Sequence, residues 1–267
     1  MAHKVIVIGG SNIDISGTPT STLVLHDSNP GKVTIQAGGV GRNIAENLTS
    51  FGLETYLLTA LSDSPTSTVI RESCEKNGIN ISLSKECPGF PASIYLYIND
   101  EQGDMLTAVN DMGIMEEVSP EYIALHLDTI NTFDACVIDA NLRADTIAYI
   151  GENVKIPIYA DPVSVAKIGR IIPILDKLTA IKPNRYEYAA LGKLPCRAYV
   201  SMGKDGMSVI DGDVEYHVAA PIVTVQNANG CGDMAMASIV FGELAGMDIK
   251  KTAEFAVMNA SKKASLS

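Results

Sequence analysis

Val5-Ile6-Val7-Ile8 is an unbroken β-branched run closed by Gly9-Gly10, the pattern of a strand with both faces buried in a parallel sheet. Between Gly41 and Phe51 the apolar positions Ile44, Leu48 and Phe51 recur at helical spacing, Gly52 supplies a left-handed cap, and residues 55–58 read as the next strand. Residues 135–138, 156–160 and 198–201 are further strand runs, and residues 66–77, 144–153, 165–178 and 234–245 carry helical patterns between them. Strands alternating with helices imply right-handed βαβ crossovers. The predicted fold is α/β, with three α/β/α layers around a mostly parallel central sheet.

Two stretches break this alternation. Residues 15–36 and 91–111 hold short runs of Thr, Val, Leu, Ile and Tyr, separated by turn signals such as Asn29-Pro30-Gly31 and Asn99-Asp100-Glu101-Gln102-Gly103-Asp104. They read as a small β-sheet lid, with residues 1–14, 37–90 and 112–267 forming the α/β body. An ordinary β-meander at the sheet margin fits the same local pattern, and only the neighbouring motifs favour a lid. An exposed lid sheet has apolar and edge-strand surface to cover, so a homodimer through the lid is also expected.

The 267 residues, 46% hydrophobic and 19% charged, suffice for a substantial core. With 20 Lys and Arg against 31 Asp and Glu, the formal net charge is −11, which argues against nucleic acid and anionic membranes as partners. A small phosphorylated ligand stays open, because backbone amides and a metal neutralise it locally. Five cysteines without a CxxC pair and four histidines without ligand spacing offer neither a disulfide framework nor a zinc site. No apolar stretch approaches 18 residues and no signal-peptide pattern precedes Val5, so a cytoplasmic protein is expected.

Asn227-Ala228-Asn229-Gly230-Cys231-Gly232-Asp233 leads into an apolar run over 234–241. Glycines before a helix let successive amides point outward, and the positive end of the helix dipole adds to them, so Gly230, Cys231 and Gly232 form a candidate oxyanion cradle. Asp233 reads either as a helix cap or as an acid beside the cradle. The helix is apolar on nearly every face, so it is buried and its N-terminus opens into a crevice of the sheet. An acid in that position suits phosphoryl transfer to a hydroxyl: the amides stabilise charge while the carboxylate accepts the proton. No G-x-x-x-x-G-K-[ST] occurs, which excludes a Walker-type site.

Gly38-Gly39-Val40-Gly41-Arg42-Asn43 precedes the amphipathic helix, its glycines allowing close backbone approach and Asn43 offering a donor and an acceptor to a vicinal diol. Asn12 and Asp14 lie just beyond the first strand, where α/β sheets bind ligands. Asp14 is a candidate acceptor for two sugar hydroxyls.

These motifs resemble those of the ribokinase-like, PfkB-type carbohydrate and nucleoside kinases. Gly38–Asn43 is similar to the family's first signature and Gly230–Asp233 to its second, which implies that Asp233 is the catalytic base. Asn184-Arg185-Tyr186-Glu187 resembles an Asn-x-x-Glu element that orders magnesium and phosphates, Glu187 acting on the metal indirectly. Ser201, Gly203 and Gly206 resemble a stretch along the ATP site, and Asn229 is assigned to the nucleotide as well. ATP and Mg²⁺ follow from the resemblance as cofactors, and a small nucleoside or sugar as the partner. Asp111, Asn141 and Lys167 lie in stretches that look like the pseudouridine kinases of this family, which implies phosphorylation of a ribose 5′-hydroxyl. Kinases for ribose, fructose, inosine or adenosine, and a non-catalytic nucleoside binder, remain alternatives. Relatives activated by a monovalent cation carry Asp where this chain has Asn227, so K⁺ dependence stays open. Cys231 reads as a small residue tolerated in the cradle turn, with acidification of its thiol by the helix N-terminus as the alternative.

Overall fold

The computed structural model describes residues 3–266. The chain runs β1 (Lys4–Ile8), β2 (Asn12–Pro19), β3 (Gly31–Gly38), α1 (Val40–Ser50), β4 (Glu54–Leu58), β5 (Ala60–Ser62), α2 (Thr68–Lys76), β6 (Lys85–Cys87), β7 (Ile94–Asn99) and β8 (Met105–Asp111). It continues through α3 (Pro120–Ile130), β9 (Ala135–Asp139), α4 (Ala144–Asn153), β10 (Ile158–Asp161), β11 (Ala180–Ile181), α5 (Arg185–Leu191) and β12 (Arg197–Ser201). The last elements are β13 (Met207–Asp211), β14 (Val214–Val218), α6 (Cys231–Leu244) and α7 (Ile249–Ala264).

Eight strands form one sheet in the order β14-β13-β12-β11-β10-β9-β1-β4, parallel from β4 to β12 and antiparallel at β13 and β14. Alternate residues of β1 serve opposite layers. Val5 and Val7 pack with Ile44, Leu48, Ala237 and Val257 from α1, α6 and α7, whereas Ile6 and Ile8 pack with Ile123, Ile147 and Ile150 from α3 and α4. The three α/β/α layers therefore follow from one β-branched run being buried on both sides, as the sequence predicts. Strand order turns back at β1, which lies between β4 and β9, so the crevice beyond the carboxyl ends of β1 and β9 is where a ligand site belongs.

One helical pattern is not realised as an α-helix. Residues 165–178 form only 3₁₀ turns at Ile168–Arg170 and Ile172–Lys177. Pro173 has no N–H to donate within a helix, and its ring disfavours helical geometry at the residue before it. The apolar periodicity survives nevertheless, with Ile171 and Ile174 buried under α4.

The second sheet has four strands in the order β3-β2-β7-β8. It includes residues 12–14 and 37–38, so Asn12 and Asp14 belong to its first strand rather than to the connection before it. Its register places Asp14 beside Gln36, Tyr95 and, one strand further, Asn110 on one face. On the opposite face Ile15 aligns with Ile35, Leu96 and Val109, and the last three are exposed.

Candidate active site

Gly39 and Gly41 bring the start of α1 against the β1–β2 turn. Gly39 has φ +97°, and a Cβ there would stand 2.5 Å from the Gly10 carbonyl; one on Gly41 would stand 2.8 Å from the carbonyl carbon of Gly9. Only glycine permits this approach. It carries Asn43 inward, where its Nδ2 donates to Asp233 Oδ2 at 2.8 Å, joining motifs 190 residues apart. On the other side, Asn12 Nδ2 donates to Asp14 Oδ1 at 2.5 Å. Asp14 and Asn43, with Gln36 and Gly230, line a cleft of about 580 Å³ beneath the polar face of the four-stranded sheet.

Gly230 is the N-cap of α6 in left-handed conformation, with no side-chain cap. The Gly232 and Asp233 amides have no acceptor among the described residues, so the helix start presents free donors. Asp233 is in the first turn of the helix, three residues after Gly230, rather than in the capping position. A second cavity, of about 600 Å³, lies across this turn and is walled by Met207, Ile222, Val225, Ala235, Val257 and Ala260. Ser201, Gly203, Gly206, Cys231 and Gly232 also line it. Gly206 has φ +96° and no room for a side chain, a Cβ falling 2.0 Å from the Val218 carbonyl. The helix start thus separates a polar cleft from an apolar one.

Three consecutive core strands end in a charged residue: Asp139 is the last residue of β9, Asp161 the last of β10, and Lys182 directly follows β11. Lys182 and Asp161 form a buried ion pair, Nζ to Oδ2 at 3.0 Å. Burial opposes the Lys182 charge, but Asp161, with Asp233 and Glu187 behind it, holds the ammonium above its ordinary range. Asp139 accepts from the Gly10 and Asn141 amides, each at 2.8 Å, while burial pushes its carboxyl up to about 6. Asp233 is pushed up to about 7, chiefly by burial and then by the Asp161 charge, against the Asn43 hydrogen bond and Lys182. A carboxyl poised there at neutral pH is matched to base catalysis.

Asn184 caps α5 with Glu187 in a reciprocal capping box, the Glu187 Oε2 accepting from the Asn184 amide at 2.7 Å. Glu187 is itself buried, with its carboxyl raised by that burial. Among the described residues no group of three or more His, Cys, Asp and Glu is arranged to hold a metal. Glu187 keeps one oxygen outside the capping box, and an acid in that position suits a magnesium ion held by phosphates and water rather than by a protein cage.

Several sequence-predicted residues fall elsewhere. Asp111 opposes Ile94, on the face of the small sheet away from Asp14, and its Oδ1 accepts from the Gly113 amide; Asn110 takes the Asp14 face instead. Asn141 accepts from Lys167 Nζ at 2.6 Å along the strand-end row, but neither lines either cavity. Asn229 lines the polar cleft and not the apolar cavity. The Cys231 thiol is raised rather than acidified, because its burial outweighs the Lys263 charge. Arg42 is buried and committed to Glu46 at 2.8 Å, Gly38 and Ser73, with Asn43 beside it, so its charge is already compensated within the protein. Asp139 and Lys182 had no assigned role from sequence, although a charged residue closing each apolar strand run is the signal that finds them.

An amide cradle beside a buried acid, opening on a polar cleft at the switch point of an α/β sheet, is suited to phosphoryl transfer to an alcohol group. The chain belongs to the pfkB family of carbohydrate kinases, whose model matches residues 2–265. It is 33% identical to a pseudouridine kinase of Escherichia coli (strain K12), over 94% of this chain and 87% of that one. A putative sugar kinase from Clostridium perfringens is 26% identical with a TM-score of 0.85, covering 100% of this chain and 90% of that one. Arabidopsis thaliana ribokinase, complexed with ribose and ATP, shares the fold at TM-score 0.87 and 17% identity, covering 100% and 94%.

Proposed function

We propose that the protein is an ATP-dependent pseudouridine kinase, transferring the γ-phosphoryl group to the ribose 5′-hydroxyl. The observation that carries the reading is the Asn43–Asp233 hydrogen bond, because it couples the hydroxyl-binding cleft to the acid of the amide cradle. The 33% identity to a pseudouridine kinase supports the choice of nucleoside. Asp14, oriented by Asn12, and Asn43 hold the ribose hydroxyls, while Tyr95 on the Asp14 face offers the base an aromatic surface. Asp233 accepts the 5′-hydroxyl proton as the new P–O bond forms and the bond to the β-phosphate oxygen breaks. The Gly232 and Asp233 amides hold the charge on the transferring group. The adenine occupies the apolar cavity beside Ile222 and Val257. Glu187 would hold a magnesium ion through water, and the ion when bound would supply charge neutralisation on the phosphates. ADP release measured with pseudouridine, uridine, inosine, adenosine, ribose and fructose side by side tests the reading: pseudouridine is expected to give the highest kcat/KM. Equal rates with ribose would remove the nucleoside assignment.

The same reading extends to a homodimer and to a cytoplasmic location. Ile35, Leu96 and Val109, all more than 40% exposed, form an apolar band on the outer face of the small sheet. A second copy of the chain is its occupant, since β3 and β8 are also open sheet edges. Sedimentation is expected to show a dimer that Ile35→Lys with Val109→Lys converts to a monomer; a monomeric unaltered protein would refute it. All five thiols are free, in keeping with a reducing compartment. No helix of the described residues is long and apolar enough to cross a membrane.

A further inference from the structure

We infer that Lys263 is a built-in cation of the phosphoryl-transfer centre, contacting the transferring phosphate and making turnover independent of added monovalent cations. The inference rests on the kinase reading above. The last turn of α7 is fastened to the loop before α6, with the Gln226 and Asn227 amides donating to the Ala264 carbonyl at 2.8 and 3.2 Å. From that turn the Lys263 side chain reaches inward. Its Cε lies 3.0 Å from the place where a Cβ on Gly230 would stand, and from that same point Lys263 Nζ and Asp233 Oδ2 are each 3.8 Å away. Ammonium and carboxylate thus flank one residue of the amide cradle. Lys263 also lines the polar cleft with Asp14 and Asn43.

A lysine near a helix C-terminus ordinarily complements the helix dipole. Lys262, in the same turn and exposed, does so from solvent, whereas Lys263 is turned toward Gly230. The two buried cations near the cradle are spent: Lys182 pairs with Asp161 and Arg42 with Glu46. Lys263 makes no ion pair among the described residues. Polyphosphate entering beside Asp161, Asp233 and Glu187 meets a field of acids, and an unspent ammonium in a partly dry site offsets it far better than one in water. The turn does not suit a monovalent cation held by the side chain at 227. Asn227 carries no charge, and its Oδ1 is turned into its own loop, accepting from the Asn229 amide at 2.8 Å.

Calorimetry of ATP and ADP binding without any acceptor separates this role from a structural one, since only ATP carries the phosphoryl group that Lys263 is inferred to touch. Lys263→Met is expected to weaken ATP roughly tenfold and to leave ADP within about twofold, the difference being one charge-assisted contact. In turnover it is expected to lower kcat on the order of 10²-fold with the acceptor KM nearly unchanged, as for loss of a transition-state charge contact. Lys263→Arg should retain most activity, and Lys262→Met should behave as the unaltered protein. That protein should run equally fast in potassium or tetramethylammonium chloride. ATP affinity and kcat both unchanged in Lys263→Met, or an absolute requirement for potassium in the unaltered enzyme, overturns the inference. If no acceptor is phosphorylated the kinase reading fails, while the ATP-to-ADP comparison still decides on Lys263.

Discussion

Asp233→Asn is expected to lower kcat by about 10²–10⁴ while leaving the folded structure and nucleoside affinity close to normal, the usual cost of removing a positioned base. The substitution is nearly isosteric, and its amide oxygen still accepts from Asn43, which holds residue 233 toward the cleft. The loss therefore reports proton transfer rather than collapse of the site. The pH profile gives an independent signature. Only the carboxylate acts as base, and burial beside Asp161 pushes its pKa up to about 7. In the unaltered enzyme kcat/KM should rise with pH, roughly tenfold per unit below the pKa, and level off above it. The variant's residual rate should lack that limb. A variant with full turnover, or an unaltered enzyme whose rate is flat from pH 5 to 8, would take Asp233 out of the catalytic role.

Lys182→Met is expected to destabilise the protein by about 3–5 kcal/mol, because removing one partner of a buried pair leaves the other charge uncompensated. Lys182 and Asp161 are 7% and 5% exposed, so water cannot take over. For a chain of this length the loss corresponds to a fall in Tm of roughly 10 °C. With the ammonium gone, Asp233 loses a neighbour that favours its charged form, so any residual activity should need higher pH. Combining Lys182→Met with Asp161→Leu removes both charges together and should recover much of the stability. A single variant as stable as the parent, measured by urea unfolding, would mean the pair carries no structural role.

The layers of the fold were legible because β-branched strands such as Val5–Ile8 and the period of α1 carry their burial in the chain itself. The nominal helix over 165–178 failed where Pro173 competes with apolar spacing, a local backbone constraint that periodicity ignores. The small sheet's existence could be read from turn signals, but its register could not. Thus Asp111 was assigned to the ligand and Asn110 passed over, although one residue of register decides which side chain faces Asp14. Gly38–Asn43 and Gly230–Asp233 could be recognised because glycine is demanded by backbone crowding. Lys182 and Lys263 escaped notice because single charged residues acquire meaning only when distant strands and helices meet.

In the proposed reading the polar cleft takes the hydroxyl and the apolar cavity the nucleotide, joined through one helix turn, and the position of the transferred group tests that arrangement most directly. Pseudouridine and ATP labelled in the γ-phosphate should be incubated with the protein and the product examined by phosphorus NMR and mass spectrometry. The account predicts a single labelled monophosphate whose phosphorus couples to the ribose 5′ protons. Label on a 2′- or 3′-oxygen, or release of inorganic phosphate without any nucleotide product, would contradict it.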